Sequence, residues 1–235
     1  MIELADSDRV ASEAFLRLAG ATDEFEGYAH PHAARVARLA DGTAKAFRLA
    51  RADCSSLVFA ALLHDIGEVV MKRDYLKRAG PLTADERLDL ARHPVIGEQE
   101  AARARANRGA QLLVRWHHEW WDGSGYPDAL RGEQIPLTAR ILRVADAYAA
   151  LTDARPFRPA MTELGARQYL MHGAGVEFDP RVVHTFLALD NLPELRAHAD
   201  AVMDDSEQPT PRLITDDQTG LAPIQNPLPA TPTLS

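Results

Sequence analysis

Histidines and aspartates occur in this sequence where they could bind metal ions. Asp65 directly follows His64, and Asp146 lies inside the apolar helical run LRVADAYAAL. Six of the nine histidines stand at expected helix ends or beside acidic residues, namely His30, His32, His64, His93, His117 and His118. Neutral imidazole together with carboxylate suits Mn, Fe, Co, Ni or Zn. A carboxylate shared by two close metal ions can hold a hydroxide for attack on phosphorus. No single pair decides this; their joint occurrence indicates a metal centre.

The elements that carry these residues are predicted to be helices, because apolar residues recur at spacings of three and four along most of the chain. The very apolar residues 56–63 predict a buried helix that delivers His64 and Asp65 at its C-terminal end. Thr83 and Glu86 have the spacing of a capping box. Further helices are expected over residues 36–47, 94–107, 110–120, 138–151 and 161–172. The sequence shows no alternating run that would support a sheet, so an all-α fold of helices packed on helices is expected.

Three segments are predicted from composition. Residues 1–27 form an N-terminal helical segment, and residues 28–204 form the helical domain with the metal centre. Within that domain, glycines and prolines over residues 122–136 indicate a loop. Residues 205–235 are Pro-rich and weakly apolar, and they cannot bury enough surface to offset their ordering entropy. A disordered C-terminal tail is therefore expected.

Charge and cysteine content limit the partners and the compartment. The net charge is -8 and the pI about 5.6, which argues against DNA binding. An anionic substrate stays open, because bound metal ions would reverse the field locally. A single cysteine, Cys54, fits a reducing compartment. No signal peptide is recognised, and no apolar stretch is expected to reach the ~20 residues of a spanning helix. A cytoplasmic protein without membrane association is predicted.

Motifs across residues 32–186 resemble those of the HD-GYP family, a branch of the HD superfamily of metal-dependent phosphohydrolases. They are, in order, HAARVARLA, ALLHDIG, LKRAGPLTADE, HPVIG, HHEWWDGSGYPDALRGEQIPL, ARILRVADAYAAL, RPF and FDPRVV. The segment HHEWWDGSGYP is diagnostic, because plain HD-domain proteins lack it. The resemblance implies an HD-domain helical bundle with an HD-GYP loop. It also implies hydrolysis of cyclic di-GMP, a bacterial second messenger, to pGpG or GMP.

The resemblance also implies roles for individual residues. Asp65 would be the carboxylate that bridges two ions, and Asp65 and Glu68 are the candidate catalytic residues. The implied metal ligands are His32, His64, Asp65, His93, His117, His118 and Asp146. The implied substrate-binding residues are Gly125, Tyr126, Pro127 and Arg155, with Arg155 near the phosphates. Two divalent ions are expected, Fe or Mn first, with Ni, Co, Zn or Mg as alternatives. Glu119 and Asp122 are expected to support the ligand helices.

The chain departs from the family pattern at several positions. Glu68 replaces a lysine, which exchanges a cation for an anion near the phosphodiester. Tyr28 stands where members with three metal ions carry glutamate, so a third ion is not expected here. A shifted register that uses Glu24 or Glu26 with His30 remains open. Ala149, Phe157 and Lys72 replace a family aspartate, tyrosine and proline, respectively.

Glu68 has two alternative roles. It either repels the substrate or reaches a metal ion and supplies a carboxylate that Tyr28 does not. Repulsion is preferred, because Gly67 suggests that the preceding helix ends there.

Two further functions remain open beside cyclic di-GMP hydrolysis. The substrate could be another cyclic dinucleotide or a nucleotide phosphoester. Alternatively, the chain is a weakly active, metal-loaded protein that binds the dinucleotide and signals by docking. No receiver or sensor domain is recognised, so regulation is expected from a partner such as a GGDEF-type or other signalling protein. The oligomeric state is left open.

Overall fold

The computed structural model describes residues 6–78, 80–155 and 158–189, and in this part of the chain the fold is all-α. The β-structure of these residues is limited to two isolated β-bridges, Arg155 to Arg158 and Ala174 to Phe178. The predicted fold class is therefore confirmed. The α-helices of the described residues are α1 (Asp6–Glu26), α2 (His32–Ala46), α3 (Arg51–Leu63), α4 (Ile66–Met71), α5 (Ala84–Leu90), α6 (His93–Arg103), α7 (Arg108–Trp116), α8 (Leu137–Thr152), α9 (Glu163–Gly173) and α10 (Pro180–Leu187).

Helix α3 lies at the centre of the core. Its residues from Leu57 to Leu63 are all buried, and α2 and α8 pack against it. Helix α1 joins the same core, because the Phe15 ring meets the Phe59 ring edge-on at 5.1 Å. Helix α1 thus packs directly on α2, α3 and α4. The boundaries predicted at residues 27 and 204 stay predictions, and the predicted tail, residues 205–235, lies outside the described residues.

Local sequence signals account for several helix ends. The predicted buried helix over residues 56–63 lies inside α3, with His64 directly after its last residue. The capping box that starts α5 is present, since the Thr83 hydroxyl accepts from the Glu86 N–H and the Glu86 carboxylate accepts from the Thr83 N–H. Helix α10 was not predicted. Its signal is Asp179 as N-cap followed by Pro180 in the first turn.

The glycine after His64-Asp65 does not end a helix, which corrects the sequence interpretation. Helix α3 ends at Leu63 and α4 resumes at Ile66, so Gly67 lies within the first turn of α4. A Cβ at Gly67 would lie 2.1 Å from the His93 carbonyl oxygen and 2.9 Å from the Gly97 nitrogen. Glycine is needed there because α4 crosses the backbone of α6 closely. This contact brings Asp65 beside His93.

One segment reaches the length and hydropathy of a membrane span, contrary to the sequence expectation. Arg51–Met71 has a mean hydropathy of 1.5 over its most apolar window, and 67% of that window is buried inside the fold. It consists of α3, the His64-Asp65 turn and α4. Its apolar character is explained by its place at the centre of the helical core.

We predict that Gly67→Ala destabilises the protein by roughly 1–3 kcal/mol, because the added methyl overpacks the α4–α6 contact. Urea unfolding followed by circular dichroism measures this change. Gly20→Ala is the matched control, since a Cβ at that helical glycine meets nothing within 4 Å. The control should gain about 0.4–1 kcal/mol. Equal stability changes in the two variants would contradict the close-approach explanation.

Candidate metal centre

Asp65 lies between two groups of potential metal ligands. We call Asp65, His93, His117 and His118 the first cluster, and His32, His64 and Asp146 the second cluster. The Asp65 Oδ1 atom is 3.4 Å from His93 Nε2 and 3.5 Å from His117 Nε2. Its Oδ2 atom is 2.8 Å from His64 Nε2 in the second cluster. The two oxygens of one carboxylate thus face different clusters, which is the arrangement that a bridging ligand requires.

The second cluster contains two buried imidazole nitrogen atoms that face carboxylate oxygens. His32 Nε2 has no hydrogen-bond partner among the described residues, and His64 Nε2 lies 2.8 Å from Asp65 Oδ2. They lie 3.5 Å and 3.6 Å, respectively, from Asp146 Oδ1. Imidazole nitrogens that converge on a carboxylate in this way fit a metal site. His118 Nδ1 in the first cluster is unpaired in the same way.

Backbone carbonyl groups orient three of the histidines. The Nδ1 atom of each contacts the carbonyl of the residue three positions earlier, and these distances are 2.9 Å for His64 to Ala61, 2.8 Å for His93 to Leu90 and 2.6 Å for His117 to Val114. A carbonyl only accepts, so Nδ1 carries the proton and donates it. In the neutral ring, the Nε2 lone pair then points into the cluster, as metal binding requires.

His32 is oriented by a carboxylate instead. Its Nδ1 lies 2.8 Å from Asp153 Oδ2, and Arg35 Nη1 lies 2.7 Å from Asp153 Oδ1. Burial raises the pKa of Asp153, but the His32 hydrogen bond and the Arg35 charge outweigh it and leave the pKa below its usual value. Sequence reasoning missed Asp153. Its position seven residues after Asp146, two helical turns on the same face, was the available signal.

The electrostatics of the clusters favour positive charge between the ligands. Burial raises the pKa of Asp65 and of Asp146, yet the neighbouring histidines outweigh burial and hold both pKa values well below normal. The pKa of His64 is raised well above normal, because Asp65 and Asp146 outweigh its burial. Burial lowers the pKa of His118, which favours its neutral, ligating form. Two buried carboxylates thus stay ionised and favour a positive charge between the ligands.

Both clusters open into a cavity of about 480 Å³, which is within the size range of small-ligand sites. Its walls combine apolar side chains with three tyrosines, Tyr75, Tyr126 and Tyr169. Three arginines, Arg78, Arg155 and Arg158, supply positive charge. Glu26 and Glu68 add carboxylates beside Asp65. Burial and then the Asp65 charge raise the pKa of Glu68 to about 7.

The four predicted substrate-binding residues fall into two groups. Tyr126 and Arg155 line the cavity, and the Tyr126 ring packs on the His118 ring at 4.9 Å. Gly125 and Pro127 are not among its lining residues. Gly125 lies against the turn that carries His118, because a Cβ there would be 2.2 Å from the Trp120 nitrogen. Gly125 therefore contributes to the site by packing closely against the turn that carries His118.

Glu119 and Asp122 support the loop over residues 122–136, which corrects their expected role beside the ligand helices. The Glu119 carboxylate accepts from the backbone N–H groups of Asp128 and Leu130, at 2.7 and 2.8 Å. Asp122 accepts from the backbone N–H of Ser124 at 2.9 Å. Since Glu119 follows His118 directly, the loop is tied to the ligand turn through the backbone.

Tyr28 braces the second cluster. Its ring is stacked on the His32 ring at 4.0 Å with an interplanar angle of 3°, and its hydroxyl is hydrogen-bonded to Arg155. His30 and Glu24 are exposed and belong to neither cluster, whereas Glu26 is buried.

None of the other departures from the family pattern falls on a residue of either cluster. Ala149 is buried in the core, and Lys72 ends α4 in a left-handed conformation with φ 49°. Phe157 lies outside the described residues.

Arg143 is a second residue that sequence reasoning missed. It is almost fully buried, its guanidinium pairs with Glu177, and its Nη1 atom lies 3.7 Å from Asp146 Oδ2. It is three residues before Asp146 on α8, so the two side chains share one helix face. The Arg143 guanidinium thus lies beside Asp146 Oδ2, whereas His32 and His64 face Asp146 Oδ1.

Comparison with known proteins assigns the family. A sequence profile of the HD domain matches residues 25–182. The chain belongs to the HD domain family. Its HHEWWDGSGYP segment resembles the segment that is diagnostic of the HD-GYP branch of that family.

Two relatives and one solved structure show the extent of the similarity. A cyclic di-GMP phosphodiesterase response regulator of Xanthomonas campestris is 39% identical over 191 residues, covering 80% of this chain and 49% of the relative. A 3'3'-cGAMP-specific phosphodiesterase of Vibrio cholerae is 31% identical over 186 residues, covering 78% and 36%. A cyclic GMP-AMP-specific phosphodiesterase structure from V. cholerae has a TM-score of 0.64 at 23% identity, covering 80% and 51%, and shares the fold. The chain spans about half or less of the length of these proteins.

We predict that Asp153→Ala weakens metal binding at the second cluster by roughly 10–100-fold, because His32 loses the acceptor that orients it. Competition with a chelator of known affinity measures this loss. Asp153→Asn is the matched control, since its amide oxygen can still accept from Nδ1, and it should lose less. Unchanged metal affinity in Asp153→Ala would show that His32 needs no such support.

Proposed function

We propose that this HD-GYP chain is a metal-dependent phosphodiesterase that hydrolyses cyclic di-GMP to pGpG and/or GMP. The observation that carries the proposal is the position of Asp65, whose two oxygens face two histidine clusters at the base of one cavity. The name of the X. campestris relative supports the same substrate. The reducing conditions suggested by one cysteine fit a cytoplasmic protein that acts on a soluble nucleotide.

The proposed cofactors are two divalent ions, one in each cluster, with Fe or Mn first and Ni, Co, Zn or Mg as alternatives. His93, His117 and His118 would hold one ion and His32, His64 and Asp146 the other, with Asp65 shared. Bound ions would supply Lewis-acid chemistry, lowering the pKa of water and stabilising charge on phosphoryl oxygens. The backbone carbonyl groups that accept hydrogen bonds from His64, His93 and His117 orient the Nε2 atoms of these rings toward the proposed ion sites.

The cavity walls would bind and orient the dinucleotide. Arg155 presents a planar guanidinium, which matches a phosphate group in shape and charge. Its hydrogen bond to Tyr28 holds the side chain in place. Tyr126 offers an aromatic wall beside His118, and Leu82 and Pro81 add apolar surface on which a base could rest.

A second candidate substrate is cyclic GMP-AMP or another cyclic dinucleotide. The 3'3'-cGAMP-specific relative of V. cholerae favours it, and so does Glu68, which changes the charge beside the phosphates. A non-catalytic docking protein that binds the dinucleotide is the third candidate. A turnover assay with added Mn²⁺ or Fe²⁺ over a panel of cyclic dinucleotides separates the three. Hydrolysis of cyclic di-GMP above the others supports the first, and binding without turnover supports the third.

We predict that Asp65→Ala lowers turnover by roughly 1000-fold or more, because both clusters lose their shared carboxylate. Metal analysis should show fewer ions per chain, while far-UV circular dichroism keeps its helical signal. Asp85→Ala, at an exposed aspartate on α5, is the control and should match the unmodified protein. Full metal content and turnover in Asp65→Ala would exclude a bridging role.

We predict that Arg155→Ala raises KM for the dinucleotide by roughly 10–100-fold, because a charge-assisted hydrogen bond to phosphate is lost. Metal content should stay unchanged, because Arg155 is in neither cluster. Arg155→Lys keeps the positive charge but lacks the planar guanidinium. Its KM should therefore lie between those of the unmodified protein and Arg155→Ala. Steady-state kinetics with metal analysis checks this, and an unchanged KM would remove Arg155 from the substrate site.

A further inference from the structure

Glu177 differs from the other carboxylates that line the cavity. Those others belong to the two clusters or lie beside Asp65, and they are Glu26, Asp65, Glu68 and Asp146. Glu177 is in none of these groups, yet it lines the same cavity and is only 6% exposed. A buried carboxylate is costly unless it is paired and hydrogen-bonded. Its place in the wall of a ligand cavity therefore calls for a role other than metal binding.

Two side chains hold the Glu177 carboxylate in place. The Arg143 guanidinium donates to Oε1, and the Tyr169 hydroxyl lies 3.2 Å from Oε2. Arg143 is 1% exposed, so the ion pair lies out of water. An ionised carboxylate has about four acceptor sites, and these two donors leave acceptor capacity on each oxygen. Because Glu177 lines the cavity, that capacity can serve a ligand.

Arg143 also fixes how far Glu177 lies from the second cluster. Its Nη2 atom is bonded to Glu177, and its Nη1 atom lies 3.7 Å from Asp146 Oδ2. A single guanidinium therefore separates Glu177 from a proposed metal ligand. In a nucleotide, one sugar separates the base from the phosphate. A base can thus reach Glu177 while the phosphate of the same nucleotide lies at the second cluster.

The cavity offers surfaces on which a base could stack. Tyr126 and Tyr169 both line it, and Tyr169 is the residue that contacts Glu177. Ala147 and Ala150 of α8 line it as well, and their small side chains leave room for a flat ring. Proteins commonly bind unpaired bases by stacking them on aromatic rings and by reading their edges through hydrogen bonds. An aromatic wall beside a fixed carboxylate has both features.

We propose that Glu177 is a specificity-determining residue that binds the Watson–Crick edge of one guanine of the substrate. The N1–H and 2-amino groups of guanine are adjacent donors in one plane, which match the two oxygens of a carboxylate. Adenine has an acceptor at N1 and no amino group at position 2, so its lone pair would face the negative charge. The inference rests on the proposed function, because the phosphates of the same ligand are assigned to the metal clusters.

The test compares three cyclic dinucleotides that differ in their bases. Cyclic di-GMP offers both donors, cyclic di-IMP lacks the 2-amino group, and cyclic di-AMP lacks both donors. Initial rates with Mn²⁺ give kcat/KM, and calorimetry with hydrolysis-resistant phosphorothioate analogues gives Kd. The variants are Glu177→Gln and Tyr169→Phe, the second of which leaves the ion pair with Arg143 intact. The control is Glu133→Gln, at an exposed position outside the cavity lining.

The unmodified protein and Glu133→Gln should prefer cyclic di-GMP to cyclic di-IMP, and cyclic di-IMP to cyclic di-AMP. Glu177→Gln should lower kcat/KM for cyclic di-GMP by roughly 10–100-fold, because hydrogen bonds to a charged acceptor are lost. Its kcat/KM for cyclic di-AMP should change by less than about threefold, because the glutamine amide can donate to adenine N1. Tyr169→Phe should show the same selectivity with a loss of about 2–10-fold, since the hydroxyl only orients the carboxylate.

The ratio of kcat/KM values for two substrates, measured on one sample, does not depend on the folded fraction. Equal losses for all three substrates in Glu177→Gln would overturn the proposal, because an effect on Asp146 through Arg143 carries no base selectivity. Should Glu177→Gln not fold, equal losses in Tyr169→Phe would have the same meaning. In both cases the phosphodiesterase function stands.

The two measurements also separate this proposal from the proposed function. Equal Kd values of the unmodified protein for the three analogues would overturn the guanine subsite and leave hydrolysis standing. Selective binding of the cyclic di-GMP analogue that is lost in Glu177→Gln, without turnover of any dinucleotide, would support the subsite and overturn hydrolysis. The absence of both binding and turnover would overturn the two together.

Discussion

The hydrogen bond from an imidazole Nδ1–H to a carbonyl at the end of a helix is the interaction on which the metal centre depends. The last carbonyl groups of a helix have no partner within the helix. His64 follows α3, His93 follows the turn after α5, and His117 follows α7, and each bonds a carbonyl three residues earlier. The same contact completes a helix end and sets the ring orientation. Three ligands are thereby aimed by secondary structure before any metal arrives.

Asp65 can serve both clusters because two helices meet at its turn. Helix α3 ends one residue before His64, and α4 starts one residue after Asp65. The close approach of Gly67 to the His93 carbonyl then brings α6 beside this turn. A larger residue at position 67 would separate Asp65 from His93. The geometry of the bridge therefore depends on a glycine whose own side chain does no chemistry.

Carboxylates and arginines both line the cavity. At its base, ionised Asp65 and Asp146 lie among imidazoles, and Arg143 supports Asp146 from behind. Glu26 and Glu68 lie beside Asp65, and burial followed by the Asp65 charge raises the pKa of both glutamates above normal. Arg155 lies on the same side of the cavity, with its Nη2 atom 3.6 Å from Glu26 Oε2. Cations bound between these carboxylates would reconcile this negative base with the anionic substrate that we propose.

The sequence alone determined the all-α class, the buried helix before His64-Asp65, the capping box at Thr83 and the residues that form both clusters. These follow from local signals: helical periodicity, capping chemistry and a motif in fixed order. Only the tertiary structure placed Asp153 on His32 and Glu26 beside Glu68. These pairings join residues far apart in the chain, and the distances between them are decided by how the helices pack, which no local pattern encodes.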